Sequence, residues 1–245
     1  MPYRIQRALK IFKILGEKPG NVKKGEWRMV VNPAEILRLE KQLKRKNKNY
    51  AKSEFISGLI EENRFYIFLK MFFERPVGNT GKTDFVLYSR VLWAGQLNGN
   101  SGVAVLAATE DNKIALSRTW RPSVMNWVLE TPGTIKKAGE KIKDALWRCV
   151  KDEIGLKIKS YELLSKFYVP ERGIMGGVVP VYFVRLKSGI PSPTDPAIRE
   201  NIFFSKNELE KIIKKGEFIY KGVKHFSCEG YLISALYLAE KKGLI

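Results

Sequence analysis

Cysteine and histidine are nearly missing from this chain. Two cysteines, Cys149 and Cys228, are too few for a disulfide framework and fit a cytoplasmic or matrix-like compartment. A single histidine, His225, excludes a metal centre built on histidines, and it is expected as a lone surface or interface residue. No apolar run reaches the length of about 18 residues that a membrane-spanning helix needs. The bulkiest run, 65–69, stops at Lys70. Acidic residues are scarce beside basic ones: 25 Asp or Glu face 44 Lys or Arg, for a formal net charge of +19. At 245 residues and 44% apolar, the chain can bury a substantial core, as one large domain or as one domain plus an extension.

The excess of positive charge is densest in the N-terminal third. Residues 1–80 hold 18 Lys or Arg against 8 Asp or Glu, and the rest of the chain holds 26 against 17. Arg4, Arg7, Lys10 and Lys13 recur every three residues among Ile5, Leu9, Phe12 and Leu15, with no acid before Glu17. This predicts a basic amphipathic helix suited to an anionic surface. The same make-up is that of an organellar transit peptide, which leaves a mitochondrial location open beside a cytoplasmic one. Asn32-Pro33-Ala34-Glu35 reads as a helix start, and the helix is expected to run to about Arg45. A second helix is expected over 53–73, although its aromatic-rich part also suits a strand. Residues 41–48, KQLKRKNK, are the densest basic cluster, able to bind a polyphosphate by releasing counterions. The nearby Tyr50, Phe55, Phe65 and Tyr66 are expected in a core rather than as stacking platforms for bases. Residues 76–81 form a turn and a candidate boundary, giving a basic, mainly helical extension over 1–80 and a second domain over 81–245. Residues 78–83, GNTGKT, end like a phosphate loop, but Pro76 replaces the first glycine and a strand-like segment follows where a helix is required, so that reading is rejected.

The most specific stretch is 129–156, LETPGTIKKAGEKIKDALWRCVKDEIGL. A glycine-containing turn precedes an amphipathic helix that ends in two acids. Ile142, Ala145, Leu146 and Val150 form its apolar stripe, and Gly155 is placed to end it. Positions 149, 152 and 153 fall on one face, one turn apart. Oxygen ligands there suit a hard cation such as Mg2+, which also holds phosphates and polarises them.

This stretch resembles the Nudix box, G-x5-E-x7-R-E-U-x-E-E-x-G-U, where U is bulky and aliphatic. Glu140, Arg148, Glu153, Gly155 and Leu156 match, Asp152 is a conservative replacement, Thr134 stands at the first glycine and Cys149 stands where the family has Glu. Upstream, Arg118, Arg121, Trp127, Glu130 and Pro132 match the pattern of the ADP-ribose pyrophosphatase branch, with Gly133 in place of its Ala. The resemblance covers about 84–245. It implies an α/β Nudix fold, a mixed β-sheet sandwiched between α-helices, behind the basic N-terminal extension. It implies Mg2+ or Mn2+ held by Gly133 (through its carbonyl), Asp152, Glu153 and Glu140, with Glu140 alternatively supporting Arg148. Arg118, Arg121 and Glu130 would contact the substrate, the arginines by pairing with phosphate oxygens. Glu153 is the catalytic acid retained. The loop acid that serves the branch as base falls on Gly176 or Gly177, leaving Glu171 as the candidate base. A thiol at 149 is a poor Mg2+ ligand, and acidic neighbours raise its pKa.

Two functions are expected from these residues. One is metal-dependent hydrolysis of a nucleoside diphosphate derivative, ADP-ribose or a nucleotide sugar, impaired by the lost acids. The other is a non-catalytic Nudix-like protein that binds RNA or a ribonucleoprotein such as the ribosome through the basic N-terminal region. Members of the branch are often dimers, which leaves a homodimer open.

Overall fold

The computed structural model describes residues 1–48, 52–78, 80–100, 102–169, 173–226 and 230–245. Two units can be distinguished, Met1–Gly99 with Glu171–Gly177, and Asn100–Pro170 with Val178–Ile245.

In the first unit, α1 (Tyr3–Ile14) is the expected basic helix, and its stripe of Ile5, Ala8, Ile11 and Phe12 is buried. A short strand β1 (Arg28–Met29) leads to α2 (Pro33–Lys46), where Asn32 Oδ1 accepts the N–H groups of Ala34 and Glu35. That is the cap foreseen for the Asn-Pro start. The segment expected as a second helix is instead β2 (Gly58–Glu62) and β3 (Tyr66–Pro76), after a 3-10 turn. The reason lies in its residues: Ile67, Leu69 and Met71 alternate into the core, and bulky aromatic side chains suit a pleated surface. β4 (Thr83–Trp93) pairs with β3 without interruption from Tyr66↔Trp93 to Pro76↔Thr83. This long hairpin carries the first unit past the turn at 76–81 to Gly99. β4 is also a strand where a phosphate loop would need a helix. Phe65 is exposed under the Arg64 guanidinium and Tyr66 is half-buried, donating its hydroxyl to Glu61, so neither is a core residue. Phe55 is half-buried as well, and Tyr50 lies outside the described residues.

The second unit begins with β5 (Gly102–Ala108), β6 (Ile114–Arg121), β7 (Asn126–Glu130) and β8 (Gly133–Ile135). Then come α3 (Ile142–Glu153) and β9 (Ile158–Tyr168). The chain returns to the first unit for β10 (Met175–Gly176), parallel to β4, and continues in the second with β11 (Val179–Leu186) and β12 (Ile198–Phe204). It ends with α4 (Lys206–Lys215), β13 (Glu217–Tyr220), β14 (Val223–Phe226) and α5 (Gly230–Lys241). The first unit's sheet runs β1-β3-β4-β10 with β2 beside β3. The second unit's runs β13-β14-β7-β6-β5-β11-β9, with β12 on β6 and β8 on β5.

That second sheet is mixed, since β5 is parallel to β11 but antiparallel to β6. Alternation along its strands makes two cores. Leu106, Ile114, Leu116 and Phe183 pack with Leu209 of α4 and Leu232, Ala235 and Leu236 of α5. Val105, Ala107, Ala115 and Val184 pack with Ala145, Leu146, Cys149 and Val150 of α3. The sheet is thus sandwiched between helices, as expected. Ser205 and Glu208 make a reciprocal cap of α4.

Gly155 ends α3 with φ +79°, and a Cβ there would lie 2.1 Å from the Ser192 carbonyl oxygen. Both the left-handed conformation and the close strand-connecting loop demand glycine. Gly155→Ala is expected to lose at least the roughly 1–2 kcal/mol of left-handed strain, lowering Tm by several degrees. Gly155→Asn, which tolerates that conformation better, should lose a similar amount because its Cβ meets the same carbonyl. Recovery of wild-type Tm by Asn would show that the close approach is unimportant.

Candidate active site

The box loop and α3 are held together by Arg148. Its Nε and Nη2 donate to the two oxygens of Glu140 at 2.9 Å each, Nη1 donates to Thr134 Oγ1 at 2.8 Å, and Nη2 also reaches the Ile135 carbonyl at 2.9 Å. The Lys137 N–H donates to Glu140 Oε2 at 2.8 Å. The Arg148 guanidinium is the main reason the Glu140 carboxyl is lowered to about 2, with the Lys137 amide second. Glu140 is thus paired with Arg148 at the start of the box.

The acidic end of α3 is fixed by the connection between β11 and β12. Thr194 and Asp195 donate their N–H groups to the Asp152 carbonyl at 2.8 and 2.9 Å, and Ser192 donates to the Ile154 carbonyl at 3.1 Å. Asn201 Nδ2 donates to the Glu153 carbonyl at 2.9 Å. These are carbonyls that a helix end leaves without partners. The Asp152 side chain is half-exposed, and Thr194 Oγ1 donates to its Oδ1 at 3.4 Å.

Glu153 turns back to the preceding loop, where its Oε1 accepts the Gly133 N–H at 3.2 Å. The contact joins the expected metal residues Gly133 and Glu153 through the amide of Gly133, not its carbonyl. Burial is the first cause that pushes the Glu153 carboxyl up to about 7, and the charges of Asp195 and Glu130 add to it against the Gly133 amide. Cys149 is 1% exposed and its Sγ lies 3.8 Å from Glu153 Oε1. Burial raises the thiol well above its ordinary value, and the Glu153 charge raises it further, which favours the neutral thiol over the thiolate.

The residues expected to contact substrate fall on both sides of the sheet. Arg121 donates Nε and Nη2 to Glu130 at 2.9 and 2.5 Å, so these two are joined to each other. Arg118, 8% exposed, lies on the opposite side with its guanidinium 3.9 Å from the centre of the Trp127 ring. It donates to His225 Nε2 at 2.7 Å and to Glu200 at 3.1 Å. His225 is fully buried, not a surface residue: its Nε2 accepts from Arg118 while Nδ1 meets the Val223 carbonyl at 2.8 Å. Burial lowers its pKa, which keeps the ring neutral in that role. The candidate base Glu171 lies outside the described residues.

Sequence reasoning missed Asp195, Thr194, Ser117, Thr119 and Asn201. Ser117, Thr119 and Arg121 alternate along the side of β6 that carries Ala115 toward α3, and Asn201 stands opposite Ser117. Two hydroxyl residues, Ser117 and Thr119, between the apolar start of β6 and Arg121 were the available signal.

The donor set tests whether a divalent ion fits. Among the described residues, no three His, Cys, Asp or Glu side chains are gathered to hold one. Mg2+ is commonly held by one or two carboxylates together with substrate phosphates. A buried carboxylate raised by neighbouring acids suits that arrangement. Glu153 alone, facing the Gly133 turn, fits an ion shared with a phosphorylated ligand, whereas the Asp152 side chain meets Thr194. The site does not fit an ion caged by protein carboxylates.

The fold and the box define a Nudix-type domain. The NUDIX domain profile matches residues 100–226, and the chain belongs to this family. An ADP-ribose pyrophosphatase of Methanocaldococcus jannaschii is 30% identical over 112 residues, which are 46% of this chain and 66% of that protein, just under two thirds of its length. A crystal structure titled as an ADP compounds hydrolase shares the fold with TM-score 0.54 at 14% identity, covering 78% of this chain and 95% of that one. None of the helices described is long and apolar enough to cross a membrane.

Two titrations follow. Glu140 is depressed, so its ion pair stabilises the fold above the ordinary carboxylate value and is lost as pH falls toward about 2. The Tm deficit of Glu140→Gln against wild type should shrink as pH falls from about 5 to about 2; a constant deficit would sink this account. Glu153 is raised, so the stability of its protonated folded form is fully present below the ordinary value of 4.5 and is lost as pH rises through about 7. In chelator, Glu153→Gln should melt several degrees above wild type near pH 8 and level with it near pH 4.

Proposed function

We propose that the second unit binds and slowly hydrolyses a nucleoside diphosphate derivative of the ADP-ribose type. The observation that carries this reading is the Glu153 carboxyl held at the Gly133 turn, raised by burial and by Asp195 and Glu130. A cation relieves that accumulation of negative charge, and a diphosphate supplies the oxygens the protein lacks. Glu153, with the Gly133 carbonyl, would hold Mg2+ or Mn2+. Once bound, such an ion neutralises diphosphate charge and lowers the pKa of a coordinated water.

The chain's own residues supply position. Arg148 and Glu140 keep the loop against α3, and the 192–195 connection holds the helix end still. Arg121 is the exposed cation beside the acids and the one suited to a phosphate, in exchange for part of its pairing with Glu130. Arg118 supports the opposite side of the sheet through Trp127, His225 and Glu200. The buried thiol at 149 and the glycines at 176 and 177 remove two acids, so turnover is expected to be slow.

The basic cluster supports a second reading, RNA or ribonucleoprotein binding. Lys41, Arg45, Lys46 and Lys48 are exposed at the end of α2. Phosphate contacts there would weaken steeply with salt.

The deciding experiment incubates the full chain with ADP-ribose, NADH and nucleotide sugars in Mn2+ and measures nucleoside monophosphate release. Slow turnover of ADP-ribose is expected, abolished by Glu153→Gln and raised on the order of 100-fold by Cys149→Glu if a carboxylate there restores proton transfer. No turnover by either wild type or Cys149→Glu, with salt-sensitive RNA retention lost on reversing the charges of Lys41, Arg45, Lys46 and Lys48, would replace the hydrolase by the binder.

A further inference from the structure

We propose that Asn201 is a positioning residue, which sets the end of α3 so that the Glu153 carboxyl can take a divalent cation. The proposal rests on the reading that Glu153 binds the ion.

Several groups hold the last carbonyls of α3. Those on Asp152 and Ile154 are backbone amides of one connection, from Ser192, Thr194 and Asp195. The group on Glu153 itself is a side chain, and it comes from a strand of the sheet. Asn201 Nδ2 donates to the Glu153 carbonyl at 2.9 Å and to Ser117 Oγ at 3.2 Å. Asn201 and Ser117 are cross-strand partners in the β12–β6 register. One carboxamide thus ties the residue carrying the acid to two strands of the sheet. The Glu153 side chain leaves that anchored backbone to meet the Gly133 amide.

The orientation of the amide is settled by its neighbours. Turning it over would put its oxygen against the Glu153 carbonyl oxygen, which has no hydrogen to give. With Nδ2 so placed, Asn201 Oδ1 is buried and has no hydrogen-bond partner among the described residues. A side chain serving only to fill this space would do better as an apolar one, because a buried acceptor without a donor is unfavourable. The compensating benefit is the bond to Glu153. Residues that orient a metal-binding side chain commonly change metal affinity by about 10-fold to 100-fold when removed.

The test titrates the full-length protein with Mn2+ alone, following free Mn2+ by electron paramagnetic resonance, below the Tm of every variant. Wild type is expected to bind and Glu153→Gln to lose binding. Asn201→Ala should weaken the Mn2+ dissociation constant by about 10-fold or more while keeping a native near-ultraviolet circular dichroism spectrum. Asn201→Ser, which keeps a shorter donor, should fall between Ala and wild type. A merely structural role would lower Tm without moving the dissociation constant of the folded protein. If Asn201→Ala does not fold, Asn201→Ser carries the test, with affinity weaker than wild type as the required outcome. Affinity within twofold of wild type in folded Asn201→Ala, or in Asn201→Ser if the alanine variant does not fold, overturns the proposal and leaves the reading of Glu153 intact. Wild type that does not bind Mn2+, or Glu153→Gln that binds equally well, overturns the reading of Glu153 and the proposal with it.

Discussion

Arg148 is the residue on which the site's geometry depends. Its guanidinium uses the loop before α3 as a partner on several sides: both oxygens of Glu140, the Thr134 hydroxyl and the Ile135 carbonyl. A planar group with fixed donors can make such a set only when the loop has one conformation. That conformation places the Gly133 amide where Glu153 can reach it. Because the ion pair with Glu140 is half-shielded from solvent, it acts mainly by specifying this arrangement and less as a large contributor to stability.

Around this clamp, the end of α3 is assembled from parts far apart in the chain. The helix presents Asp152 and Glu153, but their backbone carbonyls are held by residues 192–201. The carboxyl of Glu153 then sits among Gly133, Cys149, Asp195 and Glu130, and its charge is poorly solvated. Such a concentration of negative charge is what the proposed cation would relieve. Cys149, where the box pattern has an acid, adds a buried apolar atom to the core against α3. The box position changes from acid to thiol while the packing of α3 against the sheet is kept.

Much of the second unit was legible from the residues. The stripe of Ala145, Leu146 and Val150 and Gly155 at the helix end, like the Asn32 cap in the first unit, rest on local patterns whose period or conformation is set within a few residues. The helix expected over 53–73 became β2 and β3 because its hydrophobicity suits either element, and the pairing of β3 with β4 decided the matter. Arg118 and His225 were harder still. A basic side chain at a strand end and a single histidine give no local sign of burial, yet 107 positions apart they share a hydrogen bond.

The sequence by itself determined the family, the helix that bears the acids and the loss of a carboxylate at 149, since these are matters of residue type and spacing. Only the tertiary structure decided what each charged group faces. It paired Glu140 with Arg148, joined Arg121 to Glu130, buried Arg118 beside His225, and brought Asp195 and Asn201 to Glu153. The physical reason is that side-chain protonation and hydrogen bonding depend on burial and distance, and both are set here by strands and connections remote in the chain from the motif they complete.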